Sequence, residues 1–193
     1  MPGIVPESLM TLEAYARERG AFRARVIEHK RRRTVHLGGH VTLLFEDELT
    51  VRYQVQEMLR IERIFEPDGI RHELEAYNPL IPDGGNWKAT MLLEYPDPEE
   101  RKRRLAELKG IERKVWVQVD DCARVQAIAD EDLERENEEK TSSVHFLRFE
   151  LDAAMRRALK SGAGVRIGVD HPHYRAELAL SAEAREALAA DLA

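Results

Sequence analysis

The sequence predicts an α/β chain of the α+β type, with a mixed or mainly antiparallel sheet packed with helices. Three observations carry this reading. Short turn-forming links at 38–40, 120–122 and 170–173 separate stretches that read as strands, and links this short join antiparallel neighbours rather than crossovers. The element order is helix, two strands, two helices, strand, helix, strands, helix, strands, helix, which departs from the strict alternation of a doubly wound sheet. Over 193 residues, 43% are hydrophobic and 34% charged, enough apolar surface for a core without disulfides.

The elements follow in order. Residues 1–6 read as loose, with Pro2, Gly3 and Pro6 opposing regular structure. A helix begins near Glu7, capped by Ser8 or Thr11, with Leu12, Tyr15, Phe22, Val26 and Ile27 as its apolar side and Gly20 as a candidate break. "RTVHLG" and "HVTLLFED" form a hairpin about Gly38-Gly39. The clearest helix lies in "DELTVRYQVQEMLRIERIFEPDG", with Thr50 as cap; Val51, Val55, Met58, Leu59, Ile61 and Phe65 support its burial, and Pro67-Asp68-Gly69 marks its end. "IRHELEAYNPL" is a second helix.

"WKATMLLEY" is a strand with Trp87, Thr90, Leu92 and Tyr95 as burial candidates, and "DPEERKRRLAELKG" is a helix entered at Pro98 and ended by Gly110. "ERKVWVQVD" is a strand whose partner is "ARVQAIAD". "SVHFLRFEL" is a strand, "DAAMRRALKSG" a short helix, "GVRIGVDHPHYRAELAL" a strand–turn–strand unit and "SAEAREALAADLA" a terminal helix capped by Ser181. The chain 1–193 is expected to be one domain, with a semi-detached N-terminal helical segment over 7–31 and an exposed acidic segment over 130–142.

The net charge of −6 opposes a nucleic-acid coat. A lone cysteine, Cys122, follows two acids and is a poor nucleophile. No stretch is apolar enough to insert in a membrane, and charge appears too early for a secretory leader, so a cytoplasmic location is expected. Dinucleotide, P-loop, HExxH and GxSxG signatures are missing.

Four polar constellations remain. Arg31, Arg32 and Arg33, following His29 and Lys30, offer guanidinium forks for an anion, or a basic helix end that suits the helix dipole. On the central helix, Glu57 and Arg60 form either a polar pocket or a surface ion pair. His72, Glu73 and Tyr77 are secondary candidates, as is His145. Asp170, His171 and His173 occupy a turn about Pro172, where two imidazoles could converge on a metal with Glu57 as a distant ligand, or simply build a polar turn. The sharpest expectation joins Glu57, Arg60, Asp170, His171 and His173 in one pocket. The alternative leaves Glu57 paired with arginine and His171 packed near the chain end. No cofactor is predicted outright; a transition metal is what the His/Glu/Asp cluster would take.

The stretches "VTLLFEDELTVRYQVQEMLRIERIF", "YNPLIPDGGNWKATMLLEY", "IADEDLE", "TSSVHFLRFEL" and "GVDHPHY" closely resemble the bacterial DUF3501 family, over nearly the whole chain. Glu57, Arg60, Asn78, Asp83, His145 and His171 fall in the matching stretches. The resemblance brings no activity with it. Genes of this family often neighbour those for rubrerythrin-like proteins and an Fe–S oxidoreductase of the heterodisulfide-reductase kind, which implies either as a protein partner. The leading functional expectation is therefore an accessory or interaction protein of a bacterial redox or peroxide-defence system. The alternatives are a small metal-binding protein or enzyme, and a binder of anions or phosphorylated ligands.

Overall fold

A computed structural model describes residues 3–193. Helix α1 (Leu12–Arg31) runs unbroken through Gly20. A single glycine costs a helix only about 1 kcal/mol relative to alanine, and the packing of Tyr15, Phe22 and Val26 against Tyr53 and Leu49 outweighs it. Thr11 is the cap, accepting from the Ala14 amide, while Ser8 lies in a preceding 3-10 turn, Pro6–Ser8. Of the stretch expected to be loose, Met1 and Pro2 lie outside the described residues. Ile4 is buried, and its amide and carbonyl both bond the Asn78 side chain, at 2.9 and 3.0 Å.

Strands β1 (Thr34–Leu37) and β2 (Val41–Phe45) form the expected antiparallel hairpin. Gly38 takes a positive φ of 69° and sits under the Tyr174 hydroxyl, where a Cβ would lie 2.6 Å from that oxygen. The chain then turns into α2 (Glu48–Glu62) through a capping box in which Asp47, not the expected Thr50, is the cap and Thr50, three residues on, its reciprocal partner. Left-handed Arg63 ends α2, so Ile61 and Phe65 are left exposed rather than buried. Pro67 opens α3 (Pro67–Tyr77) instead of marking the end of its predecessor, because a first-turn proline sacrifices no helical hydrogen bond.

A 3-10 turn (Asn78–Leu80) leads to β3 (Asn86–Leu93), then α4 (Pro98–Glu107), a further 3-10 turn (Ile111–Lys114), β4 (Val115–Val119), β5 (Val125–Gln126) and β6 (Ile128–Ala129). After β7 (Val144–Glu150) and α5 (Ala153–Lys160), β8 (Val165–His171) and β9 (Tyr174–Ala179) make a hairpin, and α6 (Ala182–Ala189) follows with Ser181 as its cap. The strands form two antiparallel sheets, ordered β1-β2-β3-β7-β6 and β5-β4-β8-β9. The expected partner of β4 is split between them: β5 pairs with β4, whereas β6 crosses to β7.

The inner faces of the two sheets share one apolar core, to which α4, α5 and α6 contribute Leu105, Met155, Leu159 and Leu188. In β3 the inner set is Trp87, Ala89, Met91 and Leu93, with Tyr95 just beyond. Thr90 and Leu92 belong to the opposite face, since successive strand side chains alternate. The outer face of the first sheet is partly roofed by α2 and α3, which pack through their own apolar cluster of Val51, Val55, Leu59 and Leu74. No described helix is long and apolar enough to cross a membrane.

Candidate functional site

Glu57 and Arg60 do meet, at 3.2 Å, but within a closed cluster between α1 and α2. One carboxylate oxygen of Glu57 accepts from the Tyr15 hydroxyl and from Arg19 Nε, both at 2.7 Å; the other accepts from Arg19 Nη2 at 3.1 Å and from Arg60. The Arg19 fork holds the Glu57 carboxyl well below its ordinary 4.5, at about 2, against the opposing effect of burial; Tyr15 and Arg60 add to the lowering. Burial and the same carboxylate push the Tyr15 hydroxyl up. A carboxylate taking four donor bonds is a counter-ion and staple, with no lone pair left for a metal.

The turn residues lie elsewhere. His171 is buried at the end of β8, its Nε2 3.0 Å from the Lys109 carbonyl, while its Nδ1 accepts from the His173 amide at 3.2 Å. Both ring nitrogens are thus committed to backbone. His173 is exposed, its ring centroid 5.8 Å from that of His171. Asp170 points to the outer face of the second sheet, where it accepts from Trp116 Nε1 at 3.1 Å and pairs with Arg124 at 2.9 Å; the Arg124 guanidinium lies 3.7 Å from the centroid of the Trp116 ring. Neither Glu57 nor Arg60 shares a hydrogen bond or cavity with this turn, so the expected joint pocket does not form among the described residues. Nor do three His, Cys, Asp or Glu side chains converge as a ligand set there.

The basic run divides. Arg31 is exposed and pairs with Glu28, and Arg32 is an exposed helix end. Arg33 is buried, with its guanidinium donating to the Phe45, Glu46 and Ala187 carbonyls and to Asp191. It locks the β2–α2 corner to the C-terminal helix and presents nothing to an external anion. His72 is exposed and Glu73 half-buried, and the two do not pair. His145 is fully buried, between Asp130 at 2.6 Å on Nδ1 and both Thr141 Oγ1 and the Ser142 carbonyl at 3.0 Å on Nε2. That order matches a nucleophile–base–acid relay, yet Thr141 is only 1% exposed and, among the described cavities, lines none, so the relay opens onto no site.

Sequence reasoning missed the concavities: the largest, of about 950 Å³, is an open hollow between residues 3–7 and α3, and another carries a partly enclosed apolar wall. A groove of about 670 Å³ lies over the outer face of the first sheet, adjoined by a second hollow of about 250 Å³ that shares Glu46, Tyr77, Leu80 and Phe146 with it. Tyr77, Pro79 and Leu80 wall one side and Phe146 the other. Glu46 is buried, accepting from Thr90 Oγ1 at 2.7 Å and from Thr50 Oγ1. Lys88 donates to the Pro79 and Ile81 carbonyls at 2.6 and 3.0 Å, pinning the wall to β3. Glu75, Glu131 and Asp132 stand on the rim, with Arg148 tied to Glu131 at 2.7 Å. The available signal was the parity of Thr42 and Leu44 in β2, continued by Glu46 just beyond it, and of Lys88, Thr90 and Leu92 in β3.

Comparison with other proteins adds family and fold. Residues 3–192 match the model of a family described as "Protein of unknown function (DUF3501)". No curated protein matches the sequence. A crystal structure of a novel protein of unknown function from Burkholderia pseudomallei K96243 is similar at 55% identity, covering 100% of both chains with a TM-score of 0.95.

Proposed function

We propose, from the premise that this chain belongs to the DUF3501 family, that it is a non-catalytic accessory protein of a bacterial redox or peroxide-defence system. Its groove over the first sheet would hold a segment of a protein partner. The groove carries this reading: its walls are mostly apolar, and its charged groups other than Glu75 are already hydrogen-bonded within the chain. Concave apolar sites with a few fixed polar groups favour an anchoring side chain over chemistry at a charged centre. Glu75, the exposed rim acid not already taken by an arginine of the described residues, favours an anchor flanked by lysine or arginine.

The partner classes are an Fe–S oxidoreductase and a rubrerythrin-like protein, as the family resemblance implies. The test is hydrogen exchange of the purified chain alone and mixed with each protein. Slowed exchange over 75–80 and 144–148 with one of them supports the reading. Unchanged exchange there with both, or protection confined to other surfaces, contradicts it.

A further inference from the structure

We infer that a second, separate site beneath the acidic segment binds a small organic cation through N–H donors, with Glu112 as its buried acceptor. Glu112 lies in the 3-10 turn before β4 and is 2% exposed. Among the described residues its Oε2 has no hydrogen-bond partner, and its other oxygen has only the Nε of Arg113 at 3.7 Å, on a side chain that is 70% exposed. An acceptor buried without a donor costs about 1–3 kcal/mol, and more when charged. Elsewhere in this molecule buried carboxylates are satisfied: Glu46 by two threonines, Glu57 by two arginines and a tyrosine.

Glu112 stands in the wall of a polar hollow of about 310 Å³, roofed by residues 129–136. The roof is fastened down. Glu136 accepts from the Gly110 amide at 2.6 Å, Lys109 reaches the Glu138 carbonyl at 3.0 Å, and Arg135 bridges Asp130 and Asp132 while stacking 4.6 Å from the Phe146 ring centroid. Asp130, Glu131, Asp132, Glu134 and Glu136 join Glu112 around the hollow, and the cations on them are Arg113 and Arg135 in the lining and Arg148, which holds Glu131 from outside it, so six carboxylates still outnumber three guanidiniums. Arg135 is spent on its two aspartates. A net negative hollow with one unpaired buried acceptor in its wall is matched by a cation that donates hydrogen bonds.

The class of cation follows from the geometry. No three carboxylate or imidazole groups converge among the described residues, so the hollow lacks the compact oxygen cage of a divalent ion. An alkylammonium or guanidinium, whose N–H groups reach outward from a larger body, suits a hollow at the lower end of small-molecule sites. This inference does not rest on the groove reading: the hollow meets the groove only at Glu131 and Asp132, and Glu112 belongs to the hollow alone.

The test is calorimetric titration of the full chain with agmatine at constant ionic strength. Tetramethylammonium serves as a cation without N–H donors, magnesium as a divalent ion, and a capped Gly-Arg-Gly peptide as a side-chain source. Saturable one-to-one agmatine binding, weakened at least tenfold in Glu112→Gln and absent for tetramethylammonium, is the expected result. Glu134→Lys, at an exposed rim position, should also weaken it severalfold and keeps the test valid if the Gln variant misfolds. Tighter binding of the peptide than of agmatine would assign the cation to a partner's arginine; the reverse would assign it to a free small molecule. No saturable binding, binding unchanged in both variants, or magnesium bound more tightly than agmatine would overturn the inference.

Discussion

The seam between α1 and α2 and the groove over the first sheet each set a buried or half-buried carboxylate close to a tyrosine, and they use it in opposite ways. At the seam, Glu57 receives four donor bonds from Tyr15, Arg19 and Arg60, and the cluster closes on itself. In the groove, Glu46 is satisfied by two threonine hydroxyls, and the apolar wall of Tyr77, Leu80 and Phe146 beside it stays uncovered. Concentrated charge in this chain builds the fold. The surface left open for a partner is made of ordinary apolar side chains on the second face of a sheet.

Substitutions at the charged groups should therefore cost stability, and substitutions in the groove should cost binding. The largest effect is expected at Arg33, the most deeply committed charge. Arg33→Ala leaves Asp191 and three carbonyls without their shared donor, and breaking a buried pair this way typically costs about 3–5 kcal/mol. Urea denaturation should show a correspondingly lower midpoint; a midpoint within error of the parent would mean that the C-terminal helix is not held through this guanidinium.

Glu57→Gln comes next, at about 2 kcal/mol, since it leaves two arginines facing each other with one weakened acceptor. It also carries a pH signature. Because the carboxyl is depressed from 4.5 to about 2 in the folded chain, the unfolded chain binds more protons between those values. The stability it contributes is complete above about 4.5 and is lost as pH falls toward 2. Denaturation curves from pH 6 to 3 should fall less steeply for Glu57→Gln than for the parent; identical slopes would show that the Arg19 fork does not hold the charge.

Ala76→Arg should have the smallest effect on stability. Ala76 is exposed on α3 and lines the groove, so the change should stay within about 0.5 kcal/mol while placing a long cationic chain across the opening. A loss of stability as large as that of Glu57→Gln would mean that this wall is part of the core.

The sequence revealed the antiparallel links, most of the helices and the family, because turn glycines and short hydroxyl caps act locally; it misplaced the α2 cap and took the first-turn Pro67 for a helix end. It misdirected attention toward histidines and arginines. His171 has two ring nitrogens bonded to backbone, and Arg33 turns inward; neither can be told from a ligand-facing group by residue type. The groove was hidden by a parity error in "WKATMLLEY". Grouping Thr90 and Leu92 with Trp87 and Tyr95 merged two faces of one strand, and so concealed that Lys88, Thr90 and Leu92 line up beside Thr42, Leu44 and Glu46. Glu112 gave no signal at all, since its burial depends on the return of residues 129–136 over the turn that holds it.

The measurement closest to the central claim is titration of the Fe–S oxidoreductase and the rubrerythrin-like protein with three forms of this chain: parent, Ala76→Trp and Glu57→Gln. The account expects one of the two proteins to bind the parent, to lose at least tenfold in affinity for Ala76→Trp, whose indole fills the groove, and to bind Glu57→Gln as tightly as the parent. Equal affinity for Ala76→Trp and the parent, with Glu57→Gln weakened instead, would contradict it and return function to the charged seam.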